Sequence, residues 1–262
     1  MDLNLAGRHA LVCGASEGIG RAAAHELALL GADVTVLARR VDVLSGVAAA
    51  LPVVADGQRH GFRAADVSRH DQLRETIQGL VAAQPVDILV NNTGGPAGGR
   101  AIDAAADAYL SAFHHHLLAN QLLAQAVVPG MQAAGWGRIV NVISTSVKEP
   151  IANLGVSNTI RGAVASWAKT LSRELGGAGI TVNNVLPGYT RTQRLEQILR
   201  DRVQQTGKDE AAVATAMLST VPAGRFAEAG EVAAAIAFLA SPAASYINGV
   251  SLAVDGGRMQ SI

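Results

Sequence analysis

Short runs of apolar residues alternate with longer segments of helical periodicity along most of the chain. Runs such as HALVCG at 9–14 and VDILVNN at 86–92 put apolar side chains on both faces of a strand, as is typical where helices cover both sides of a sheet. Between such runs, as at 18–31, apolar residues recur at helical spacing. This alternation predicts parallel strands that are joined by helical crossovers.

The predicted fold is therefore α/β: a three-layer, doubly wound parallel sheet of the Rossmann-like type. Neither an internal repeat nor a low-complexity linker divides the chain, so a single domain over 1–262 is predicted. The predicted strands are 9–14, 33–38, 62–67, 86–92, 137–143, 180–186 and 250–254, and the predicted helices are 18–31, 41–51, 69–84, 103–130, 155–176 and 230–241.

The segment 193–220 interrupts the alternation of strands and helices. Its composition is helical, it carries more charge than its surroundings, and no strand pattern occurs in it. An inserted pair of helices at the carboxyl edge of a parallel sheet is typical of a lid over a ligand crevice. The sequence therefore predicts a helical lid at 193–220, with a surface excursion that has no function as the alternative.

Composition narrows the class of protein. Of the 262 residues, 49% are hydrophobic and 16% are charged, which allows a large buried core. The formal net charge is zero without a basic block, so no nucleic acid partner is expected. The single cysteine, Cys13, argues against a disulfide framework. The chain shows neither a signal-peptide pattern nor an apolar stretch that would span a bilayer, so we expect a cytoplasmic protein without a membrane partner.

A glycine-rich turn, CGASEGIG at 13–20, lies between the first predicted strand and the first predicted helix. Gly14, Gly18 and Gly20 allow positive φ angles and close approach of the backbone, and a helix N-terminus offers unpaired N–H groups. Together these features make a seat for a pyrophosphate. Glycines that serve only tight packing are the alternative, but the position in the first β-turn-α unit favours dinucleotide binding.

From this turn onward, nearly the whole chain resembles the short-chain dehydrogenase/reductase family, and most closely its ketoacyl-carrier-protein-reductase-like members. The family's glycine motif corresponds to CGASEGIG, with Cys13 in place of a threonine. Its N-N-A-G motif corresponds to NNTG at 91–94, and its P-G motif with a later threonine corresponds to PGYTRT at 187–192. The C-terminal part, 221–257, is also similar. The resemblance implies an oxidoreductase that uses a nicotinamide dinucleotide and assembles as a homodimer or homotetramer.

The end of the second predicted strand bears on the choice of cofactor. An acidic residue at this point binds the 2′-hydroxyl of NAD, but the sequence has Arg39 and Arg40, whose guanidinium groups suit a 2′-phosphate. Glu17 opposes this choice, because its charge would repel the phosphate. The two arginines outweigh this single opposing charge, so NADP(H) is favoured over NAD(H).

The resemblance implies further cofactor contacts. The pair Asp66 and Val67 corresponds to a pair that contacts adenine, although DVS is also compatible with a helix cap by Ser68. Thr192 is expected on the diphosphate and nicotinamide side. The full set of expected cofactor-binding residues is Gly14, Ser16, Gly18, Ile19, Gly20, Arg39, Arg40, Asp66, Val67, Asn91, Thr93, Gly94, Arg161 and Thr192, in which Asn91, Thr93 and Gly94 flank the adenosine ribose.

The family's catalytic residues are an asparagine, a serine and a Tyr-x-x-x-Lys pair, and here the sequence departs from the pattern. The serine corresponds to Ser144, but Ser157 stands at the tyrosine position and Arg161 at the lysine position. The asparagine position falls on His116. No Tyr-x-x-x-Lys occurs elsewhere in the sequence.

These four residues are the catalytic candidates. A serine hydroxyl is a much weaker acid than a phenol, and an arginine stays protonated, so Arg161 can stabilise an alkoxide but cannot shuttle protons. His116 is the nearby group that could supply a proton near neutral pH. Losing a positioned general acid costs about 10²- to 10⁴-fold in rate. The structural alternatives are a helix-filling or capping Ser157, an Arg161 that snorkels at the edge of an apolar stripe, and an interior His116.

Three functions remain open from the sequence. The first is an NADP(H)-dependent oxidoreductase that acts on a small-molecule carbonyl or alcohol with an atypical proton donor. The second is a dinucleotide-binding pseudoenzyme with a regulatory or assembly role. The third, a structural subunit of an active relative, is disfavoured because the glycine turn and NNTG are intact. No metal site is expected, because the adjacent residues of the His114–His116 triplet point in different directions on a helix.

Overall fold

A parallel β-sheet forms the centre of the protein. The computed structural model describes residues 1–261, and in them seven parallel strands form one sheet. The strands are β1 (His9–Cys13), β2 (Asp33–Ala38), β3 (His60–Ala64), β4 (Ile88–Asn91), β5 (Gly137–Val142), β6 (Ile180–Pro187) and β7 (Ser251–Val254). Their order across the sheet is β3-β2-β1-β4-β5-β6-β7, and every neighbouring pair is parallel. The predicted doubly wound α/β fold is confirmed.

Helices cover both faces of this sheet. They are α1 (Gly18–Leu29), α2 (Val41–Ala49), α3 (His70–Ala83), α4 (Ala106–Phe113), α5 (Ala119–Ala134), α6 (Gly155–Leu175), α7 (Gln193–Thr206), α8 (Glu210–Leu218) and α9 (Ala229–Ala240), counted over residues 1–261. One buried apolar cluster joins the sheet to α1, α2 and α9, and a second joins the opposite face to α3, α5 and α6. Because β1, β4 and β5 are buried along their whole length, both layers of helices are needed to exclude water from them.

The direction of winding reverses beside β1, which lies between β2 and β4. In doubly wound sheets, the crevice for a ligand opens at the carboxyl ends of the strands at such a reversal. The glycine turn follows β1, and the NNTG segment spans the end of β4 and the loop after it, so the topology brings these two motifs to the same edge of the sheet.

The long helix predicted over 103–130 is observed at 106–134 with a π-helical segment, His114–Leu118, between α4 and α5. A π segment holds one extra residue per turn and is frequent at functional sites. This widened turn contains His116. The helical periodicity of the sequence does not reveal such an insertion.

The segment 193–220 contains the predicted pair of helices, α7 and α8. Thr192 caps α7 and Asp209 caps α8 through their side chains, and Gly207 ends α7 in the left-handed region with a φ of 66°. The apolar faces of the two helices form a small cluster with Phe226. Over the described part of the chain, every helix is too short or too polar to cross a membrane.

Candidate functional site

The glycine turn is packed so closely that side chains are excluded from it. Gly14 and Gly18 have φ angles of +59° and +55°, which favour glycine. A Cβ on Gly14 would lie 2.5 Å from the carbonyl oxygen of Asn92, and a Cβ on Gly20 would collide with the carbonyl oxygen of Gly14. Asn92 holds the turn by donating from Nδ2 to the carbonyl oxygens of Cys13 and Gly14, at 3.3 and 3.2 Å.

The N-terminus of α1 faces this turn without a side-chain cap. Its N-cap residue is Glu17, whose carboxylate makes no capping hydrogen bond. Ser16 is partly buried in the turn, and Ile19 packs against the core. The unpaired N–H groups and the positive end of the helix dipole are therefore available to an anionic group such as a diphosphate.

Two arginines follow β2 beside the turn. Arg39 and Arg40 are both exposed, and Nη2 of Arg40 lies 3.1 Å from Oε2 of Glu17. Among the described residues, Arg39 has no carboxylate within ion-pair distance. The charge of Glu17, which opposes a 2′-phosphate, is thus partly neutralised by Arg40, and Arg39 remains as an unpaired cation.

Asp66 closes a turn after β3. Its Oδ1 accepts hydrogen bonds from the backbone N–H and the hydroxyl of Ser68, at 3.0 and 2.7 Å. The N–H of Ser68, with a smaller contribution from the charge of Arg39, lowers the pKa of Asp66. The alternative in which Ser68 caps α3 is wrong, because the N-cap of α3 is Arg69 and has no side-chain cap. Val67 packs against the second core cluster.

A row of amide side chains crosses the sheet from β4 to β7. Asn91 donates to Oδ1 of Asn141 at 2.8 Å, Asn141 donates to Oδ1 of Asn184 at 3.0 Å, and Asn184 donates to the hydroxyl of Ser251 at 3.1 Å. The expectation that Asn91 flanks the adenosine ribose stays a prediction, and only its side chain is accounted for by this row. This side chain is buried within the sheet, 2% exposed, and Asn92 is the residue that contacts the glycine turn.

Thr93, Gly94 and Thr192 border the same crevice. Gly94 is exposed, and nothing lies within 4 Å of the point where its Cβ would be. The Thr192 hydroxyl donates to the carbonyl oxygen of Thr190 and accepts from the N–H of Leu195, while the Thr192 methyl group faces Gly18. Thr192 therefore joins the start of α7 to the glycine turn.

Arg161 lies under the end of β5. Its Nη1 donates to the carbonyl oxygen of Val142 at 2.9 Å, and the residue is 8% exposed, so it does not snorkel to water. Burial, followed by the charge of Arg194, lowers the pKa of Arg161 to about 10. The guanidinium group therefore still carries its charge at neutral pH. Ser144 lies two residues after Val142, and its hydroxyl accepts the N–H of Ser146 at 3.1 Å.

Ser157 lies one turn before Arg161 on the buried face of α6 and is 7% exposed. It is not a helix cap, because the N-cap of α6 is Leu154. Within residues 1–261, the Ser157 hydroxyl has no side-chain hydrogen bond. It is therefore available to a ligand.

His116 projects from the π segment towards Thr93, with Nδ1 and Oγ1 2.6 Å apart in a hydrogen bond. The ring is 4% exposed. Burial, followed by the charges of Arg161 and His115, lowers the pKa of His116 to about 3. The prediction that His116 supplies a proton near neutral pH is wrong for this reason: the ring is neutral there, and a buried imidazolium would be repelled by Arg161.

Sequence analysis missed one residue of this site. Arg194, in the first turn of α7, donates from Nη2 to the carbonyl oxygen of Pro96 at 2.9 Å. Nη2 of Arg194 and Nη2 of Arg161 lie 3.6 and 3.5 Å from the point where a Cβ on Gly95 would be. The sequence places Arg194 two residues after Thr192, an expected cofactor contact. Its approach to Arg161, however, depends on how α7 packs against the rest of the fold.

Metal and thiol chemistry receive no support from the described residues. No group of three or more histidine, cysteine, aspartate or glutamate side chains in residues 1–261 is arranged to hold a metal ion. Burial raises the pKa of the Cys13 thiol to about 12, so the thiol stays protonated and unreactive.

Known proteins resemble this chain over nearly its full length. A family model described as enoyl-(acyl carrier protein) reductase matches residues 14–258. The 3-oxoacyl-(acyl-carrier-protein) reductase FabG of Vibrio harveyi is 36% identical over 259 residues, which are 97% of this chain and 98% of the relative. The L-sorbose reductase of Gluconobacter frateurii, solved with NADPH and L-sorbose, has a TM-score of 0.91 at 29% identity and full coverage of both chains. A gluconate 5-dehydrogenase of Burkholderia cenocepacia, solved with NADP and tartrate, has a TM-score of 0.88 at 30% identity, covering 100% of this chain and 98% of that one.

Proposed function

Because the chain belongs to the short-chain dehydrogenase/reductase family, we propose that it is an NADP(H)-dependent oxidoreductase that interconverts a small-molecule carbonyl compound and its alcohol. The observation that carries this proposal is the glycine turn, which leads into the uncapped N-terminus of α1 at the point where the sheet reverses. The two solved relatives named above hold NADPH or NADP in this fold.

The residues present fit such a cofactor. The diphosphate would bind the N–H groups at the start of α1, where Gly14 and Gly20 exclude side chains. Arg39 and Arg40 would bind the 2′-phosphate of NADP(H), and Asp66 with Val67 would border the adenine. Thr93, Gly94 and Thr192 would line the remainder of the cofactor crevice. Arg39 supports NADP(H) over NAD(H) most directly, because it has no carboxylate partner among the described residues.

Arg161 is the centre of the proposed chemistry. The bound cofactor supplies the hydride that reduces a carbonyl carbon. Arg161, which stands where the family has a lysine, stabilises the negative charge that develops on the carbonyl oxygen, because a fixed cation in a buried site is effective for this purpose. Ser144 and Ser157 donate hydrogen bonds to the same oxygen and orient the substrate.

The proton comes from water in this proposal. Ser157 is too weak an acid to replace a tyrosine, and His116 is neutral at pH 7. The alkoxide that would form beside Arg161 would take a proton from a water molecule, and the hydroxide that remains would be neutralised by exchange with bulk solvent. His116 acts as a positioning residue that holds Thr93 through its hydrogen bond.

The pair of helices at 193–220 is proposed as the lid of this site. Arg194 at the start of α7 contacts the backbone of Pro96 across the crevice, so movement of α7 would open or close the substrate end.

A dinucleotide-binding pseudoenzyme with a regulatory or assembly role is the second candidate. It is favoured by one observation: none of Ser144, Ser157, Arg161 and His116 is an acid with a pKa near 7. It predicts cofactor binding without turnover.

Fluorescence titration of the purified protein with NADPH, and in parallel with NADH, tests the proposal first. We expect NADPH to bind in the micromolar range and NADH more weakly, followed by NADPH oxidation with members of a carbonyl panel. Binding of neither nucleotide would contradict both candidates, and binding without turnover across the panel would favour the pseudoenzyme.

Arg161 variants test the mechanism. Arg161→Ala should lower kcat by about 10²- to 10³-fold, the typical cost of removing one electrostatic stabiliser of an oxyanion. Arg161→Lys, which keeps the charge, should recover a large part of that loss. Equal rates for wild type and Arg161→Ala, in protein with unchanged thermal unfolding, would disprove the role of Arg161.

A further inference from the structure

Two guanidinium groups from different elements meet at one point in the proposed substrate end. Arg161 reaches this point from α6 and Arg194 from α7. The Nη2 atoms of Arg161 and Arg194 lie 3.5 and 3.6 Å from the position that a Cβ atom on Gly95 would occupy. A side chain at this position would contact both guanidinium groups. The loop that contains Gly95 is held in place further on, where Gly99 donates to Asn153 at 2.7 Å and Gly155 donates to Gly99 at 2.9 Å.

Neither arginine has a counter-charge within the described chain. Each uses one donor on a backbone carbonyl, Arg161 on Val142 and Arg194 on Pro96, and neither lies within 4.0 Å of a carboxylate in residues 1–261. Seven arginines of the described chain do have acidic partners: Arg8 with Asp87, Arg40 with Glu17, Arg74 with Asp71, Arg100 with Asp103, Arg191 with Glu228, Arg200 with Glu196 and Arg225 with Glu231.

Arg138 shows how this protein satisfies a buried arginine without an acid. It is 2% exposed, it donates to the carbonyl oxygens of Gly137, Gly179 and Ser241, and it stacks on the ring of Trp136 at 4.3 Å. Arg161 is also buried, at 8% exposed, but donates to a single carbonyl. Its Nη2 lies beside Gly95, where Arg194 adds a second positive charge. Gly95 and Arg194 are half-buried, and two cations without a carboxylate partner at such a point favour an anion there.

The location distinguishes this anion from the cofactor diphosphate. The diphosphate seat lies at the start of α1, where Gly18 faces Thr192. Arg161 is attached to the end of β5 next to Ser144, the residue that is expected to contact substrate. Arg161 therefore lies at the substrate end of the crevice, and Arg194, two residues after Thr192, approaches it from the side of the diphosphate seat.

We infer that Arg161 and Arg194 together bind a carboxylate group of the substrate, so that the substrate is an oxo acid or the corresponding hydroxy acid. This inference rests on the proposed function for the identity of the substrate end. Arg194 is the specificity-determining residue, and Arg161 serves both the carboxylate and the reacting oxygen. A carboxylate that is close to the reacting carbonyl, as in 2-oxo or 3-oxo acids, fits a pair that includes Arg161.

Equilibrium binding of a matched pair of probes tests this inference. The protein saturated with NADP⁺ is titrated calorimetrically with malonate and with malonamide, which has a similar shape but no charge. We expect malonate to bind at least about 10-fold more tightly, and Arg194→Gln to weaken malonate by about 10- to 100-fold, as for loss of a charge-assisted hydrogen bond. Arg194→Lys should give an intermediate loss. Arg200→Gln, on the exposed face of the same helix, should leave malonate binding unchanged.

Each other outcome overturns the inference. Equal binding of malonamide, no binding of malonate, or equal losses in Arg194→Gln and Arg200→Gln would show that the pair does not select a carboxylate. A loss of NADPH affinity in Arg194→Gln as large as the loss for malonate would assign the pair to the cofactor diphosphate. The malonate titration is repeated without nucleotide. The carboxylate inference is then tested even if the wild type does not bind NADPH, and that failure would contradict the proposed function by itself.

Discussion

At the scale of single residues, the site combines a permanent cation with a neutral histidine. Arg161 is held at the end of β5 by Val142, and its positive charge contributes to the low pKa of His116. The neutral ring can then accept or donate one hydrogen bond, which it uses on Thr93. The positive charge near the proposed reacting oxygen is therefore fixed between about pH 5 and pH 9, a range that lies between the two shifted pKa values.

Glu17 should weaken NADPH binding, because it competes with the 2′-phosphate for Arg40. The carboxylate lies 3.1 Å from Nη2 of Arg40 in a pair that is about half exposed. Such pairs are worth about 0.2–1 kcal/mol, so Glu17→Gln should tighten NADPH binding by roughly 1.4-fold to fivefold. Fluorescence titration should show no such gain for NADH. The control is Glu26→Gln, towards the other end of α1. Equal gains for both nucleotides would exclude competition for the phosphate as the cause.

His116 should make the protein less stable in mild acid. Its pKa is about 3 in the folded state and 6.5 in the unfolded chain, so between these values the unfolded state binds more protons. The free energy of unfolding therefore falls as the pH drops below about 6.5. The loss from this one residue is about 1 kcal/mol between about pH 7.5 and pH 5.5.

Urea unfolding at these two pH values measures the effect. The wild type should lose more stability than His116→Asn, which keeps a polar side chain but cannot take up a proton there. His9, whose pKa is also lowered by burial, contributes a loss in the same direction to both proteins. Replacing the exposed His25 by asparagine should leave the loss of unfolding free energy between the two pH values as large as in the wild type. An unchanged loss in His116→Asn would contradict the low pKa.

At the scale of elements, the strands and helices followed from the sequence, but features that depend on neighbouring elements did not. Apolar runs predict β4, β5 and β6 because burial on both faces needs no knowledge of partners. The ladder of Asn91, Asn141 and Asn184 arises only when the strand register places these residues side by side. The π segment and the approach of Arg194 to Arg161 likewise follow from tertiary docking, which local periodicity does not encode.

Two helical glycines should respond in opposite directions to the same substitution. A Cβ on Gly20 in α1 would collide with the carbonyl oxygen of Gly14 and lie 2.7 Å from Nδ2 of Asn92. Gly20→Ala should therefore cost about 1–3 kcal/mol of stability and abolish NADPH binding. A Cβ on Gly46 in α2 would meet nothing within 4 Å, so Gly46→Ala should add about 0.5–1 kcal/mol.

Thermal unfolding and NADPH titration of the two variants check this pair. Gly46→Ala should bind NADPH like the wild type, because α2 does not contribute to the turn. A Gly20→Ala protein that binds NADPH with wild-type affinity would show that the backbone of the turn can move without loss of the diphosphate seat.

At the scale of the whole molecule, the order of elements along the chain was sufficient to predict the sheet. Alternating strands and helices leave few topologies, because parallel crossovers are right-handed and short. The location of the cofactor crevice follows from the reversal beside β1. The chemistry at its substrate end did not follow, because the relevant charges come from α6 and α7, which are far apart in the sequence and meet only after docking.

The edge of the sheet at β7 bears on assembly, for which we propose a homodimer or homotetramer. This strand is the last in the sheet, and the apolar side chains of Tyr246, Val250 and Leu252 near it are exposed, by 101%, 37% and 37%. Uncovered apolar edges favour association with another chain. Replacing Val250 and Leu252 with lysine should therefore shift the protein to a smaller species in sedimentation velocity. Val54→Lys, at an exposed apolar residue outside this edge, should leave the assembly unchanged. A monomeric wild type, or an equal response to both changes, would exclude β7 as the contact.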